Sequence, residues 1–277
     1  MTYEAHILTD SICDGHRLTT FKLRYPRFIH AEVMTHRTMS RNASSSRAIP
    51  VTRAAEFAQT DKVTPIRWGK NQSGMQPSLE NLGGAELEEA QKIWDYMAQV
   101  CTKGSLRLAE LGLAKQWANR PLEWFSTINV VVTATEWDNF FELRAHPDAQ
   151  DEIRHLAVLM KEAMAQSEPV SKRQGEWHLP FIHPSEFENN SLAELAQCSA
   201  ARCARTSFLT HDGKEPNLEQ DLALFQRLVG SVPLHASPTE HQATPIVKDS
   251  ILELPTKNLR GWVPLRSFLE GNVQLMV

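Results

Sequence analysis

The sequence predicts an α+β fold, and three observations carry that expectation. β-Branched and aromatic residues fill Leu18–Tyr25 and again Thr127–Thr135, the composition of half-buried strands. Apolar residues recur at the helical period over 85–113 and 148–166. Two pairs, Ser191-x-x-Glu194 and Asn217-x-x-Gln220, have the form of capping boxes, which satisfy the unbonded N–H groups of a helix's first turn.

Taken in order, Ile7–Thr9 and Leu18–Tyr25 flank a turn at Asp14-Gly15 and read as strands. Pro26 ends the second run, and Phe28–Met34 begins a helix with that proline near its first turn. Ser40–Arg47 is almost wholly small and polar and reads as a loop. Residues 59–84, with Pro65, Gly69, Gly74, Pro77, Gly83 and Gly84, form a long irregular connection. Such lengths are uncommon unless functional or disordered. Within it, Trp68-Gly69-Lys70-Asn71-Gln72 suits either a substrate loop or an exposed turn. The helix over 85–113 sets Leu87, Ala90, Ile93, Trp94, Met97 and Val100 on one stripe, with a break expected near Gly104. That stripe serves either a core or a subunit interface. Thr127–Thr135 is strand-like in composition. The helix over 148–166 turns Ile153, Leu156, Leu159, Met160 and Ala163 inward, and the last two helices run to the regions of Arg205 and Val229.

Composition removes several function classes. With 29 basic against 33 acidic residues the net charge is −4, so no bulk attraction draws the chain to duplex nucleic acid. No apolar run reaches the roughly 20 residues of a bilayer span, which removes a membrane from the expected partners. Met1–His6 lacks the basic, apolar and small-residue order of a signal peptide, so a cytoplasmic location is expected. The four cysteines form no CxxC pair, and no histidine stands at zinc-finger spacing from them. No protein-bound metal is expected.

The segment richest in chemistry is His36-Arg37-Thr38-Met39-Ser40-Arg41-Asn42-Ala43-Ser44-Ser45-Ser46-Arg47. Guanidinium forks and hydroxyls beside exposed backbone N–H groups suit phosphate. On composition alone a solvated basic loop fits equally. Its order resembles the signature of the flavin-dependent thymidylate synthases, R-H-R-x-x-S-x-N-E-x-S-x-R, with His36, Arg37, Ser40, Asn42, Ser45 and Arg47 at matching places. Thr20–Phe28 resembles the strand and proline that lead into that motif. Asn139-Phe140-Phe141-Glu142-Leu143-Arg144, followed by Ala149-Gln150 and Glu152-Ile153, is similar to the family's N-F-L-x-L-R…A-Q-x-E-I block. Gln116–Arg120 resembles a segment whose arginine contacts the nucleotide. Ala200–Phe208 and His235-Ala236-Ser237-Pro238-Thr239-Glu240-His241 resemble the start of the family's chain. Here they come last, which implies a circular permutation; permutation is physically reasonable where termini lie close together.

The resemblance implies a flavin-dependent thymidylate synthase-like fold, a central antiparallel sheet with long helices. One domain would span 1–277, with 242–277 unassigned as either a packing extension anchored by Trp262 or a lid. It implies an enzyme that methylates C5 of dUMP to dTMP, taking carbon from methylenetetrahydrofolate and hydride from reduced FAD, which NADPH regenerates. Arg144 would be catalytic, favouring the ionised, nucleophilic pyrimidine. Glu32, Ser44, Ser45, Ser46, Arg47, Arg120 and Arg144 would bind the nucleotide. His36, Arg37, Asn42, Asn139, Ser207, Ser237 and Glu240 would line the flavin. Sites between the subunits of a homotetramer, and no catalytic cysteine, follow from the same resemblance.

The sequence departs from the family's pattern at five places. Thr35 stands for the motif's first arginine and Ala43 for its glutamate. Thr133 and Thr135 stand for an asparagine and an arginine, and Glu32 for a glutamine. Arg41, Arg24 and Arg27 are candidates to compensate. With these departures, flavin- and folate-dependent hydroxymethylation of a pyrimidine nucleotide and a non-catalytic nucleotide-binding module stay open beside methylation. A serine hydrolase is remote, because no G-x-S-x-G is present.

Overall fold

A computed structural model describes residues 3–74, 76, 78–210, 213–246 and 255–271. The N-terminal hairpin is longer than its composition advertises: strand β1 spans Glu4–Cys13 and β2 spans His16–Pro26. Asp14 and Gly15 turn the chain with φ of 47° and 79°, a backbone region open to glycine and tolerated by aspartate. Helix α1 (His30–Met34) follows a single 3-10 turn at Arg27–Ile29, so the helix expected over Phe28–Met34 is shorter than its pattern.

Strand β3 (Ser40–Ala43) corrects the expectation of a loop over Ser40–Arg47. It pairs antiparallel with β4 (Thr127–Ala134), Ser40 opposite Thr133 and Ala43 opposite Val130. A short polar strand carries little propensity of its own; the free edge of β4 supplies the hydrogen bonds that define it. Helix α2 (Val51–Thr60) was not foreseen and buries Val51, Ala55 and Ala58. Helix α3 runs unbroken over Gly84–Glu110, which corrects the expected break near Gly104. A lone glycine in a long helix costs only about 1 kcal/mol, too little to interrupt it. Short helices α4 (Lys115–Ala118) and α5 (Asp138–Arg144) precede α6 (Asp151–Gln166). Strand β5 (Val170–Ser171) then completes a five-stranded sheet in the order β3-β4-β2-β1-β5. All of its pairings are antiparallel except β1 with β5.

The period of two divides the sheet's residues between its faces. Phe21, Leu23 and Tyr25 of β2 and Val130 and Val132 of β4 pack with Phe140, Ile153, Leu156 and Met160 from α5 and α6. The opposite face carries Val131, packed with Phe181 and with Cys203 of helix α7 (Leu192–Arg205). Helix α7 opens as expected: Ser191 Oγ accepts from Glu194 N–H at 3.3 Å, and Glu194 reaches back to Ser191 N–H at 2.8 Å. At helix α8 (Leu218–Val229) the expected box with Gln220 is replaced by a simpler cap, Asn217 Oδ1 accepting from Glu219 N–H at 2.8 Å. Buried Asp221 clamps α8 to α7 by accepting from Arg202 at 2.8 Å and Arg205 at 2.5 Å.

The tail packs on this second face. Strands β6 (Ala243–Pro245) and β7 (Trp262–Pro264) pair with each other, and helix α9 (Leu265–Glu270) follows. Trp262 is fully buried with Leu18, Ala243 and Leu259 and donates Nε1–H to the His16 carbonyl at 3.1 Å. The described part of the tail is thus an anchored extension, while 247–254 and 272–277 lie outside the described residues. In the long connection, Trp68 packs edge-on to Trp94 of α3, with centroids 6.0 Å apart.

Candidate nucleotide site

Pairing β3 to β4 brings the polar segment across to the C-terminal half of the chain. Asn42 Nδ2 donates to the carbonyls of Cys203 at 2.7 Å and Ala204 at 3.2 Å, and its Oδ1 accepts from Ser237 Oγ at 3.0 Å. One asparagine therefore ties the strand, the end of α7 and the 3-10 turn Ser237–Glu240 together. The chain continues along the sheet edge, where Ser44 N–H donates to Asn129 O at 2.8 Å and Ser44 Oγ accepts from Asn129 N–H at 3.1 Å. Ser45 Oγ then accepts from Arg47 N–H at 3.3 Å, capping the turn Ser46–Ala48.

A cavity of about 900 Å³ opens beside this junction, a size suited to a nucleotide or cofactor. Ser44, Ser45 and Arg47 form one wall, Thr206, Ser207 and Ser237 another, and Lys22 and Asn129 of the sheet reach it from below. Among the described residues its lining holds Lys22, Arg47 and Arg53, together with Arg205 already paired to Asp221, and no carboxylate. Such a lining favours an anion, because charge-assisted hydrogen bonds are about twice as strong as neutral ones. Thr206 ends α7 in the left-handed region, φ 56°, and that turn carries Ser207 into the cavity wall.

A second cluster lies at the end of α5. Arg144 donates Nε–H to His36 Nε2 at 2.9 Å, Nη1–H to Glu32 at 3.2 Å and Nη2–H to Thr35 Oγ1 at 3.3 Å. Accepting from a guanidinium requires a neutral imidazole with its proton on Nδ1. Partial burial, then the Arg144 and Arg41 charges, lower the His36 pKa in the same direction. Neither Arg144 nor His36 lines the cavity.

The remaining site residues of the resemblance are placed elsewhere. Arg37 and Asn139 are exposed. Ser46 donates to Glu123 at 2.7 Å, and Arg120 donates to both oxygens of the same carboxylate at 3.1 Å. Glu240 is paired with Arg266 of α9. The cavity thus gathers Asn42, Ser44, Ser45, Arg47, Ser207 and Ser237, while Glu32, His36 and Arg144 form their own group.

The departures from the family's pattern acquire structural roles. Thr133 Oγ1 bonds to Thr20 Oγ1 at 2.7 Å and to His241 Nδ1 at 2.8 Å, all fully buried. Thr135 Oγ1 accepts from Arg260 N–H at 3.0 Å. The three candidate compensators also have internal partners. Arg41 caps the carbonyls of Met34 at 3.0 Å and His36 at 2.8 Å, Arg24 pairs with Asp61, and Arg27 lies 3.9 Å from Glu123. Sequence reasoning missed Lys22, Asn129, Arg53, Phe57 and Arg205. Lys22 alternates with the core residues Phe21 and Leu23, and that spacing was a readable sign of its face. Arg53 and Phe57 lie on the unforeseen helix.

Comparison with known proteins places the chain in a family. Residues 15–170 match the family model Thy1, thymidylate synthase complementing protein. A search of curated proteins gives no match. Among solved structures, a UMP/dUMP methylase PolB from Streptomyces cacaoi bound with 5-Br dUMP is similar over 55% of this chain and 68% of that one, with 25% identity and a TM-score of 0.45. The PolB structure bound with 5-Br UMP is similar over 55% and 70%, with 21% identity and a TM-score of 0.44. The matched segment holds strands β2, β3 and β4, the polar motif and Arg144, and on that match the chain belongs to the Thy1 family of flavin-dependent thymidylate synthases and is a thymidylate synthase-like enzyme.

Proposed function

We propose that this enzyme methylates C5 of dUMP to dTMP, with methylenetetrahydrofolate as carbon donor, FAD as the flavin and NADPH as its reductant. The observation that carries the reading is the cavity joining the 42–47 segment to Ser207 and Ser237, cationic and without a carboxylate in its described lining. That donor set fits phosphate-bearing ligands, both a nucleotide and a flavin dinucleotide. When bound, the reduced flavin supplies the hydride that completes the transferred methyl group. Ser45 and Arg47 hold the nucleotide phosphate, while Asn42, Ser207 and Ser237 shape the flavin side of the cavity. Arg144 stabilises negative charge developing on the pyrimidine, a preorganised electrostatic role, and His36 and Glu32 hold its guanidinium.

Within one chain, Arg144 does not line the cavity that holds the phosphate-binding candidates. This supports a site assembled between copies in a homotetramer, with Arg37, Arg144 and Asn139 presented to a neighbour. The exposed apolar residues Ile93, Tyr96, Met97 and Val100 on α3 support the same assembly. The contact of Asn42 with Ser237 and the α7 end supports a circularly permuted order of the family's segments. No helix among the described residues is long and apolar enough to cross a membrane.

The visible absorption spectrum, recorded before and after adding FAD and removing the excess, tests the cofactor. A retained flavin band is expected; a colourless protein that still binds dUMP leaves only a nucleotide-binding module. Anaerobic turnover with dUMP, folate and NADPH, read by product mass, then separates a methyl from a hydroxymethyl product.

A further inference from the structure

Phe57 is a large aromatic residue with 42% of its surface exposed, although the same helix buries Val51, Ala55 and Ala58 against the protein. Its ring lines the cavity. Arg53 stands one turn earlier on α2 and also lines it, its guanidinium carbon 5.3 Å from the Phe57 ring centroid. Residues four apart share a helix face, and the guanidinium lies over one face of the ring, so the pair presents a layered, polarisable surface to the cavity. Ile49, Pro50, Leu224 and Leu228 line the cavity too, so it carries apolar surface besides the hydroxyls and cations of Ser44, Ser45, Arg47 and Lys22.

We propose that Phe57 and Arg53 form a ring-stacking subsite for the planar heteroaromatic end of an anionic ligand whose charged part lies against Lys22, beside the nucleotide phosphate on Ser45 and Arg47. Both aromatic rings and guanidinium planes accept a stacked heterocycle. The proposal deepens the nucleotide reading above and rests on its placement of ligand in this cavity. Of the planar rings in that reading, the adenine of the dinucleotide and the pterin of the folate are the two assigned to this subsite.

Isothermal titration of the full-length protein with FAD, FMN, AMP and folate distinguishes them, using the wild type, Phe57→Ala and Phe57→Tyr. Phe57→Ala is expected to weaken one ring-bearing ligand about tenfold, the loss of a single stacked ring, with Phe57→Tyr restoring it. Loss for FAD and AMP with FMN unchanged assigns the adenine; loss for folate alone assigns the pterin. Unchanged affinities in Phe57→Ala, or an equal loss for all four ligands, overturn the subsite. A wild type that binds AMP or folate but neither flavin fails the flavin reading, and its Phe57 variants still decide the subsite.

Discussion

Arg144 is restrained by His36, Glu32 and Thr35, and the last two depart from the family's pattern. Glu32 stands where a glutamine is expected and sets a carboxylate 3.2 Å from the guanidinium. Both groups are partly exposed, so the pair stabilises the fold by no more than about 1 kcal/mol. The carboxylate opposes an incoming anion more than it supports the structure. Glu32→Gln is expected to tighten dUMP binding several-fold in titration, with little change in melting temperature. Two other residues set the acid limit. His178 and His241 are fully buried, and burial first of all lowers both pKa values to about 3. Unfolded histidine titrates near pH 6.5, so below that pH the unfolded chain binds more protons than the folded one. The stability held by these neutral imidazoles is therefore complete above about pH 6.5 and lost as pH falls toward 3, by up to about 1.4 kcal/mol per pH unit for each. His241 Nδ1 bonds to Thr133, while its Nε2 has no partner among the described residues. His241→Gln is expected to remove one proton's worth of that slope, read from urea denaturation at pH 6 and pH 4.

At the scale of elements, local signals succeeded where an element makes its own hydrogen bonds. Helix α7 begins at its capping box, and the 85–113 pattern became α3 within a few residues at each end. Gly104 sits in that helix, and a Cβ added there would meet nothing within 4 Å. Gly104→Ala is accordingly expected to stabilise the protein by about 0.5–1 kcal/mol in urea denaturation, whereas a true break would be damaged by the same change. Strand β3 and helix α2 behaved differently. Ser40–Ala43 has no alternation to read, and its partner β4 lies more than eighty residues away in the sequence.

At the scale of the molecule, α3 leaves Met97 41% and Val100 49% exposed, beside Ile93 and Tyr96. Contiguous exposed apolar surface of this kind marks an interaction face. Under the proposed homotetramer, Val100→Glu is expected to reduce the assembly in light scattering while leaving circular dichroism of the subunit unchanged. An unaltered assembly size places the interface elsewhere. The buried chain Ser11–His178–Thr20–Thr133–His241 joins the sheet to the C-terminal segments through hydrogen bonds of 2.7 to 2.9 Å. Thr133, which replaces the family's asparagine, and Thr135, which replaces its arginine, thus bind one half of the chain to the other.

By itself the sequence determined the α+β class, the paired strands, the long helices and the family, because periodicity, caps and a long spaced motif are local patterns that survive without coordinates. The resemblance also named Asn42, Ser45, Arg47, Ser207 and Ser237 as site residues, and these now border one cavity. Only the tertiary structure decided that Arg144 rests on His36 and Glu32, that Glu240 is taken by Arg266, and that Lys22, Arg53 and Phe57 face the cavity. Each of those outcomes depends on which distant side chain arrives within about 3 Å of a polar group. Chain closure over long sequence separations sets that arrival, and no local pattern encodes it.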